Sequence, residues 1–401
     1  MGRLLPAGSG LIGVGFITLA VAFSLRVMFA LAMPFIAAET AWSLVLLSAA
    51  MSVTLIVSGL LTPVAGRLLD RYGPRAVLIG GLGLIALGMG ITAAAAQPAL
   101  LIFGFGIIAG GGFALVSTSV VSTAVALAFD RNRGFATGVA TSGESAGQFL
   151  LIPLFALLLG AASWRLAFAA GAVAAVLLAG VIAFAMRGDR GRTAPASRRP
   201  ATLRADLRYL SGQPVFYLLF LSYFICGLTT TGFVESQFMP YVSFCGFPPV
   251  PTATAYGLLS LVNLFGMVGA GWLTDRVNRV ALLASIYIVR ALSFLLLLGV
   301  APDYQTLIVF AVVFGAADYS TVPVTVSLCA SHLGTRVLGL SFGLISSGHA
   351  LGAALGAIVG GVLFASTAGY SVMWLVAVLT ALGAALLSLA IFRTGPAGAA
   401  A

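Results

Sequence analysis

Two short Arg-rich loops divide this chain into matching halves. They read GRLLDRYGPR at Gly66–Arg75 and GWLTDRVNR at Gly271–Arg279, and each lies between two long apolar runs. When the sequence is laid over itself at one constant offset, residues far downstream of the loops also coincide. The coinciding pairs include Gly66 with Gly271, Asp70 with Asp275, Arg71 with Arg276, Gly134 with Gly339, Ser142 with Ser347 and Gly147 with Gly352. A match this long without a shift predicts one unit copied whole, which is typical of transporters built from two similar bodies around a central site.

The composition excludes an ordinary soluble domain. Hydrophobic residues make up 61% of the chain and charged residues only 7%, whereas soluble domains carry roughly 25% charged residues. The net charge of +10 comes from Arg in short loops rather than from a solvated basic face with interleaved aromatics, which argues against nucleic-acid binding. The Cys residues lack the spacing of a metal site or a disulfide framework, and no phosphate-binding Gly-rich loop occurs. We therefore expect no cofactor, no ATP-driven step and no enzymatic activity.

Twelve apolar runs are long enough to cross a hydrocarbon core of about 30 Å. We therefore predict an all-α membrane protein whose twelve transmembrane helices form two six-helix bundles related by pseudo-twofold symmetry. The N-terminal bundle takes residues 1–186 and the C-terminal bundle residues 214–401, and the segment 187–213 is a cytoplasmic linker with a surface helix from Leu203 to Leu210. The predicted spans cover residues 11–36, 43–65, 76–96, 99–127, 135–159, 165–186, 214–239, 252–273, 280–299, 304–329, 337–365 and 370–392.

The distribution of Arg predicts the orientation in the membrane. Short cytoplasmic loops carry an excess of basic residues, and nearly every loop Arg falls on the face that also holds both termini, whereas Arg165 falls on the other face. We expect a multi-pass protein of the bacterial inner membrane with both termini in the cytoplasm, acting as a monomer. The first apolar run is longer than a signal peptide and predicts an uncleaved span.

The loops and the repeat together carry a family resemblance. With twelve predicted spans, two matching halves and a G-x-x-x-D-R loop after the second and eighth spans, the chain resembles a major facilitator superfamily transporter over essentially its whole length. The resemblance implies that the charged loop residues latch helix ends on the cytoplasmic side and bias the two conformations, rather than touch substrate. These residues are Asp70, Arg71, Asp275 and Arg276.

Several stretches narrow the resemblance. LTPVAGRLLDRYGPR, GWLTDR, TVPVT at Thr321–Thr325 and SGHALGAALGAIVGG at Ser347–Gly361 are similar to bacterial members of the monocarboxylate porter group. That similarity implies transport of a small organic anion, often with a proton. The acid and Arg that lactate carriers place in the eighth span correspond to Asn263 and Met267, so the usual carboxylate clamp is absent. The fifth span reads GVATSGESAGQFL and lacks the Pro of drug/proton antiporters, which disfavours that class.

Ionisable residues inside the predicted spans are candidates for function, because each costs several kcal/mol in hydrocarbon unless it is paired or hydrated. They are Arg26, Glu144, Glu235, Arg290, Asp318 and His349. Glu144 and His349 occupy the same position of the two repeats and are expected to face each other across the pseudo-twofold axis, in spans that line the cavity in the superfamily. We expect them to bind a polar substrate, with Glu144 exchanging a proton. The alternative is that each hydrogen-bonds a neighbouring helix.

The remaining charges suggest pairs. Arg26 and Glu235 lie toward the outer ends of the first and seventh spans, where an ion pair would close an outer gate. Alternatively, the planar guanidinium of Arg26 holds a substrate anion. Arg290 and Asp318 lie at matched depth in the ninth and tenth spans and are expected to pair, and Asp318 is also a candidate proton carrier.

These features predict a secondary active transporter that moves a small, monocarboxylate-like organic anion, coupled to protons, by alternating access. Tyr319 and Asn263 lie beside candidates on cavity-lining spans and are predicted to contact the substrate. The alternative is a proton-driven antiporter that exports a metabolite or drug, including a cationic one. A third class, a non-transporting membrane sensor or scaffold, gives no reason for buried charges at matching positions of both repeats. The expected partners are a small-molecule substrate, protons and the lipid bilayer, without nucleic acid or metal.

Overall fold

The computed structural model of the chain describes residues 9–129, 131–187, 202–298 and 303–393, and nearly all of them are helical. The helices of the first half are Ser9–Thr40, Leu44–Ala93, Pro98–Leu101, Ile102–Ala109 (π-helical), Gly110–Leu115, Thr118–Ala128, Arg133–Thr141, Gly143–Ala161 and Trp164–Ala185. Those of the linker and second half are Leu203–Ser211, Pro214–Gly227, Leu228–Glu235 (π-helical), Ser236–Phe244, Pro249–Thr274, Arg279–Leu298, Tyr304–Ala317, Thr321–His332, Thr335–Val337 (3₁₀), Leu338–Thr367, Ser371–Ala390 and Ile391–Arg393 (3₁₀).

The helix Leu44–Ala93 contains two spans. Its 50 residues would extend about 75 Å at 1.5 Å per residue, far more than one crossing needs. The chain turns at Gly73, whose φ of 76° is a conformation that glycine adopts without strain. The described residues contain 11 helices that are long and apolar enough to cross a membrane. Because one of them holds both the second and the third span, the predicted all-α fold with twelve spans is confirmed.

Three predicted spans are interrupted. The fourth breaks between Leu115 and Thr118, the fifth at Ser142 and the tenth between Ala317 and Thr321. Each of these stretches is still a single candidate membrane span, as predicted, but the sequence analysis did not predict the breaks inside them. A break frees backbone groups that hydrocarbon cannot satisfy, so it depends on partners from other helices that apolar length does not reveal.

Each half has its own apolar core. One cluster of buried side chains is drawn entirely from residues between Leu11 and Met186. Two further clusters come almost entirely from residues beyond Leu210, the last turn of the linker helix. The helices of each half therefore pack mainly on one another, as two bundles require.

The predicted surface helix of the linker is confirmed as Leu203–Ser211. Its Asp206 accepts hydrogen bonds from Nη1 of Arg67 at 3.0 Å and from Nη1 of Arg336 at 2.7 Å. Arg67 belongs to the first half and Arg336 to the second, so one carboxylate joins the linker to both halves. The rest of the linker, residues 188–201, lies outside the described residues.

The two halves meet backbone to backbone at the ends that carry the Arg-rich loops. A Cβ atom on Gly66 would overlap the carbonyl oxygen of Gly339, and a Cβ atom on Gly134 would overlap that of Gly271. Glycine allows this close approach because it has no side chain. The second span is thereby pressed against the eleventh and the fifth against the eighth. The structure is closed on its predicted cytoplasmic side.

Two carboxylates reinforce this closure at helix N-termini. Asp70 accepts hydrogen bonds from the backbone N–H groups of Gly339 and Leu340, both at 2.9 Å. Asp275 does the same with Gly134 and the residue after it, at 2.9 and 2.8 Å. Each carboxylate therefore lies at the positive end of a helix dipole in the opposite half. This geometry suits the predicted latches, whose influence on the two conformations stays a prediction.

The two Arg residues of the predicted latches make other contacts. The Arg71 guanidinium lies 5.1 Å from the centre of the Tyr72 ring, and that of Arg276 lies 4.0 Å from the centre of the Trp272 ring. Both side chains are exposed. Among the described residues, neither guanidinium bonds to the other half, so the carboxylates alone span the junction at these loops.

We predict that Gly66→Leu opens the cytoplasmic side, because its side chain would displace the backbone of Gly339. Gly83→Leu on the same long helix is the matched control, since a Cβ atom at Gly83 meets nothing within 4 Å. Spin labels at the exposed positions Tyr72 and Thr335, one in each half, report the separation of the cytoplasmic ends. We expect Gly66→Leu to lengthen this distance and Gly83→Leu to leave it unchanged. Equal distances in both variants would contradict the proposed closure.

Candidate functional site

Glu144 lies where two interrupted helices begin. It is in the first turn of Gly143–Ala161 and is only 3% exposed. Its Oε2 accepts a hydrogen bond of 2.8 Å from Oγ1 of Thr118, the first residue of the inner helix of the fourth span. A carboxylate is favoured at a helix N-terminus, which explains its position in an otherwise apolar region. Thr118 was not predicted, although the polar run Ser117-Thr118-Ser119 inside an apolar span is a signal for it.

Arg26 supplies a positive charge near this carboxylate. Its guanidinium stacks on the Phe23 ring, 4.2 Å from the ring centre, and the side chain is half-buried. Its charge lies within electrostatic range of Glu144. Within the described ranges, no acidic side chain comes within 4.0 Å of Arg26. The arrangement leaves a guanidinium available to an incoming anion.

Glu235 does not pair with Arg26 in this structure. It is the last residue of the π-helical segment of the seventh span, its side chain is exposed, and its Oε1 accepts a 2.6 Å hydrogen bond from the Tyr319 hydroxyl. The predicted Arg26–Glu235 gate belongs to the conformation that is closed on the outer side. The structure is closed on the opposite side, so that pair stays a prediction.

Asn263 and Tyr319 are brought together at the break in the tenth span. The buried Oδ1 of Asn263 accepts a 3.2 Å hydrogen bond from the backbone N–H of Tyr319. This bond satisfies a backbone group that the break releases and fixes Tyr319, which in turn holds Glu235. Asn263 thus acts on the site through Tyr319, and its predicted contact with substrate stays a prediction.

Arg290 and Asp318 meet, but not as the expected ion pair. The fully buried guanidinium of Arg290 donates to the carbonyl oxygen of Ala317 at 3.0 Å and to the main-chain carbonyl oxygen of Asp318. These carbonyl oxygens have no partner within the helix because the helix ends at Ala317. They therefore accept the hydrogen bonds of the guanidinium in place of the Asp318 carboxylate. Arg290 also donates to the Cys226 sulfur at 3.0 Å. Oδ1 of Asp318 is buried and has no hydrogen-bond partner among the described residues.

His349 faces the seventh span rather than Glu144. Its ring centre lies 5.0 Å from that of Tyr223, and its charge is within electrostatic range of Cys226. The backbone of Gly227 presses against the His349 carbonyl, where a Cβ atom would not fit. No hydrogen bond joins His349 to Glu144 in the described part of the chain. Its ring packs on a neighbouring helix, and both its predicted role in substrate binding and the alternative of a hydrogen bond to that helix stay predictions.

The polar interior therefore contains two clusters of different character. The first places the Arg26 guanidinium within electrostatic range of the Glu144 carboxylate, which is hydrogen-bonded to Thr118. The second joins Arg290, Cys226 and carbonyl oxygens of the tenth span, and it supports a helix break. The described residues contain no group of three His, Cys, Asp or Glu side chains suited to a metal ion.

Known proteins resemble this chain in sequence. The sequence profile of the Major Facilitator Superfamily matches residues 15–296 and 270–400. Monocarboxylate transporter 13 of Rattus norvegicus is 30% identical over 331 residues, covering 79% of this chain and 73% of the relative. The uncharacterized MFS-type transporter YcxA of Bacillus subtilis (strain 168) is 23% identical over 336 residues, covering 81% of this chain and 80% of the relative.

Solved structures share the fold. The transporter FucP in the outward conformation superposes with a TM-score of 0.78 at 18% identity, covering 96% of this chain and 98% of FucP. The human organic anion transporter MFSD10 (TETRAN) gives a TM-score of 0.73 at 17% identity, covering 96% of this chain and 100% of MFSD10. The helix order, the two matching halves and the sequence profile all indicate the same family. The chain belongs to the Major Facilitator Superfamily, whose matching relatives are transporters and not enzymes.

Proposed function

We propose that this protein carries a small, monocarboxylate-like organic anion together with protons across the membrane by alternating access. The observation that carries the proposal is the half-buried Arg26, without an ionic partner in the described chain, within electrostatic range of the buried Glu144. The similarity to monocarboxylate transporter 13 supports the substrate class.

The charges of this cluster couple the anion to a proton. A guanidinium binds a carboxylate through two parallel hydrogen bonds. While the site is empty, the nearby charge of Arg26 favours release of a proton from Glu144, because it offsets the charge of the carboxylate. When a substrate carboxylate binds Arg26, a second buried negative charge becomes unfavourable, so Glu144 takes up a proton. The Thr118 hydroxyl can donate to the ionised carboxylate and accept from the protonated one.

Alternating access follows from the two bundles. The predicted bodies, residues 1–186 and 214–401, would rock about the central cluster while the linker keeps them together. In the conformation described here, contacts such as Gly66 with Gly339 close the cytoplasmic side. Anion and proton would enter from outside and leave after these contacts separate and an Arg26–Glu235 pair closes the outer side. We further propose that the protein works as a monomer in the bacterial inner membrane with both termini in the cytoplasm.

Export of a cation in exchange for protons is the second candidate. It is favoured by Asp318, whose buried Oδ1 lacks a partner in the described structure, and by the exposed carboxylate of Glu235. In that mechanism the carboxylates, and not Arg26, would hold the cargo. Uptake or export of organic cations without any response to monocarboxylates would favour this candidate and discard the anion proposal.

Replacing Arg26 should weaken anion transport selectively. Hydrogen bonds to a charged group contribute about 1.5–3 kcal/mol, so we expect Arg26→Gln to lower anion affinity about 10- to 100-fold. Arg26→Lys keeps the charge but not the two parallel hydrogen bonds, so its anion affinity should lie between those of the wild type and Arg26→Gln. Uptake of labelled monocarboxylates into proteoliposomes measures the effect, with Arg208→Gln on the exposed face of the linker helix as control. Normal uptake by Arg26→Gln would remove Arg26 from the site.

Replacing Glu144 should separate substrate movement from proton movement. Glu144→Gln keeps the size of the side chain and its bond to Thr118 but cannot titrate. We expect loss of uptake driven by an inward proton gradient, while exchange of labelled for unlabelled substrate continues. Asp318→Asn is the comparison variant, because it neutralises the other candidate proton carrier. If Asp318→Asn loses gradient-driven uptake and Glu144→Gln retains it, the proton site is at Asp318 and the assignment to Glu144 is wrong.

A further inference from the structure

A cavity of about 410 Å³ lies at the cytoplasmic end of the second half, away from the central clusters. It forms where the loop between the eighth and ninth spans meets the ends of the tenth and twelfth. Its polar and basic wall residues are Thr274, Arg276, Asn278, Arg279, Ser331 and His332. The volume is within the range of ligand-binding pockets. We propose that this cavity binds a phosphate group, carried either by an anionic lipid headgroup or by a soluble phosphate compound.

The two Arg side chains are held in place by bonds that leave donors free. Arg276 stacks on Trp272 and donates one hydrogen bond of 3.3 Å to its carbonyl oxygen. Arg279 uses Nε for a 3.3 Å bond to the carbonyl oxygen of Thr274. Among the described residues, the Nη groups of Arg279 have no recorded acceptor. Guanidinium groups fixed in this way are suited to the oxygens of a phosphate.

The neighbouring imidazole adds a further polar group. Nδ1 of His332 lies 3.2 Å from the carbonyl oxygen of Leu328 and 3.0 Å from Oγ of Ser331. Because a carbonyl oxygen only accepts, a bond to Leu328 assigns the hydrogen of the neutral ring to Nδ1, so Nε2 donates to a phosphate oxygen only when the imidazole is protonated. Asp275, an acidic wall residue, has both oxygens engaged by backbone N–H groups of the first half.

The internal repeat provides a comparison within the same chain. At the constant offset of the two halves, Ser331 and His332 fall on Ala126 and Leu127. In the first half, moreover, Nη2 of Arg75 donates a 3.1 Å hydrogen bond to a carbonyl oxygen, that of residue 183, at the end of the sixth span. At the same offset Arg279 falls on Pro74, so the first copy builds this place without an Arg, a Ser or a His at the matching positions. The shared scaffold therefore does not require a polar pair here, and although Ser331 and His332 each bond to the Leu328 carbonyl oxygen, both line the cavity.

The rim of the cavity favours a lipid as the source of the phosphate. Trp272 is 45% exposed and Phe392 is 54% exposed, and both lie beside the basic residues. Exposed aromatic side chains at the ends of spans are typical of the membrane interface. Basic pockets on the cytoplasmic side of membrane helices bind anionic headgroups. Acyl chains could lie along these rings while the headgroup enters the cavity.

The test measures the thermal unfolding midpoint of the full chain in detergent micelles. Three probes are added separately: phosphatidylglycerol, zwitterionic phosphatidylcholine and inorganic phosphate. The variant Ser331→Ala/His332→Leu installs the residues of the first half, and Arg208→Gln removes an exposed cytoplasmic charge elsewhere. For the wild type we expect phosphatidylglycerol to raise the midpoint by about 2–4 °C more than phosphatidylcholine does. Arg208→Gln should respond as the wild type, and the double variant should lose most of the shift.

Each outcome decides the proposal. A rise of the unfolding midpoint with phosphatidylglycerol alone identifies a lipid headgroup as the ligand. An equal rise with inorganic phosphate identifies a soluble ligand. In both cases the double variant must lose the rise. Equal shifts with both lipids and none with phosphate, or an unchanged response of the double variant, would overturn the site. If the double variant does not fold, Arg279→Gln replaces it, with lipid retention counted by native mass spectrometry. Undiminished retention of phosphatidylglycerol by Arg279→Gln would likewise overturn the proposal.

Discussion

Hydrocarbon offers no hydrogen bonds, so a helix that breaks inside the membrane must find new partners for its backbone. Several candidate functional residues of this protein lie where that requirement is met. Thr118 begins a helix after a break and binds Glu144, and Asn263 accepts the N–H of Tyr319 at another. Arg290 donates hydrogen bonds to the carbonyl oxygens that the break in the tenth span leaves without helical partners. The breaks therefore determine where these polar side chains lie, and the hydrogen bonds of the side chains stabilise the breaks.

The two copies of the repeat keep one scaffold and differ in chemistry. Glu144 corresponds in register to His349, yet the carboxylate meets the fourth span and the imidazole meets Tyr223 and Cys226 of the seventh. The carboxylate, able to hold a proton in a buried place, belongs to the first copy. The second copy instead buries a guanidinium that supports a helix end. The two copies thus present different polar groups at matching positions of one scaffold.

The sequence predicted what is set by length and composition, and missed what is set by tertiary partners. The spans and the linker helix follow from apolar runs and charge, and Asp70 lies at the helix end that the family resemblance implied. The pairing of Arg290 with the Asp318 carboxylate was expected from matched depth. The guanidinium bonds carbonyl oxygens instead, because the unpredicted break exposes them. Thr118 was overlooked for the same reason, since its role appears only where the fourth span is interrupted.

Under the proposed alternating access, the closure on the predicted cytoplasmic side places a demand on the opposite side of the protein. Asp70 and Asp275 each accept two backbone hydrogen bonds from the opposite half, and bonds to a charged group contribute about 1.5–3 kcal/mol each. Alternating access needs two conformations whose free energies differ by only a few kcal/mol. Contacts of similar strength must therefore form on the outer side as these bonds break. Arg26 and Glu235 suit that task, because in the cytoplasm-closed form the first stacks on Phe23 and the second binds Tyr319, leaving both free to exchange partners.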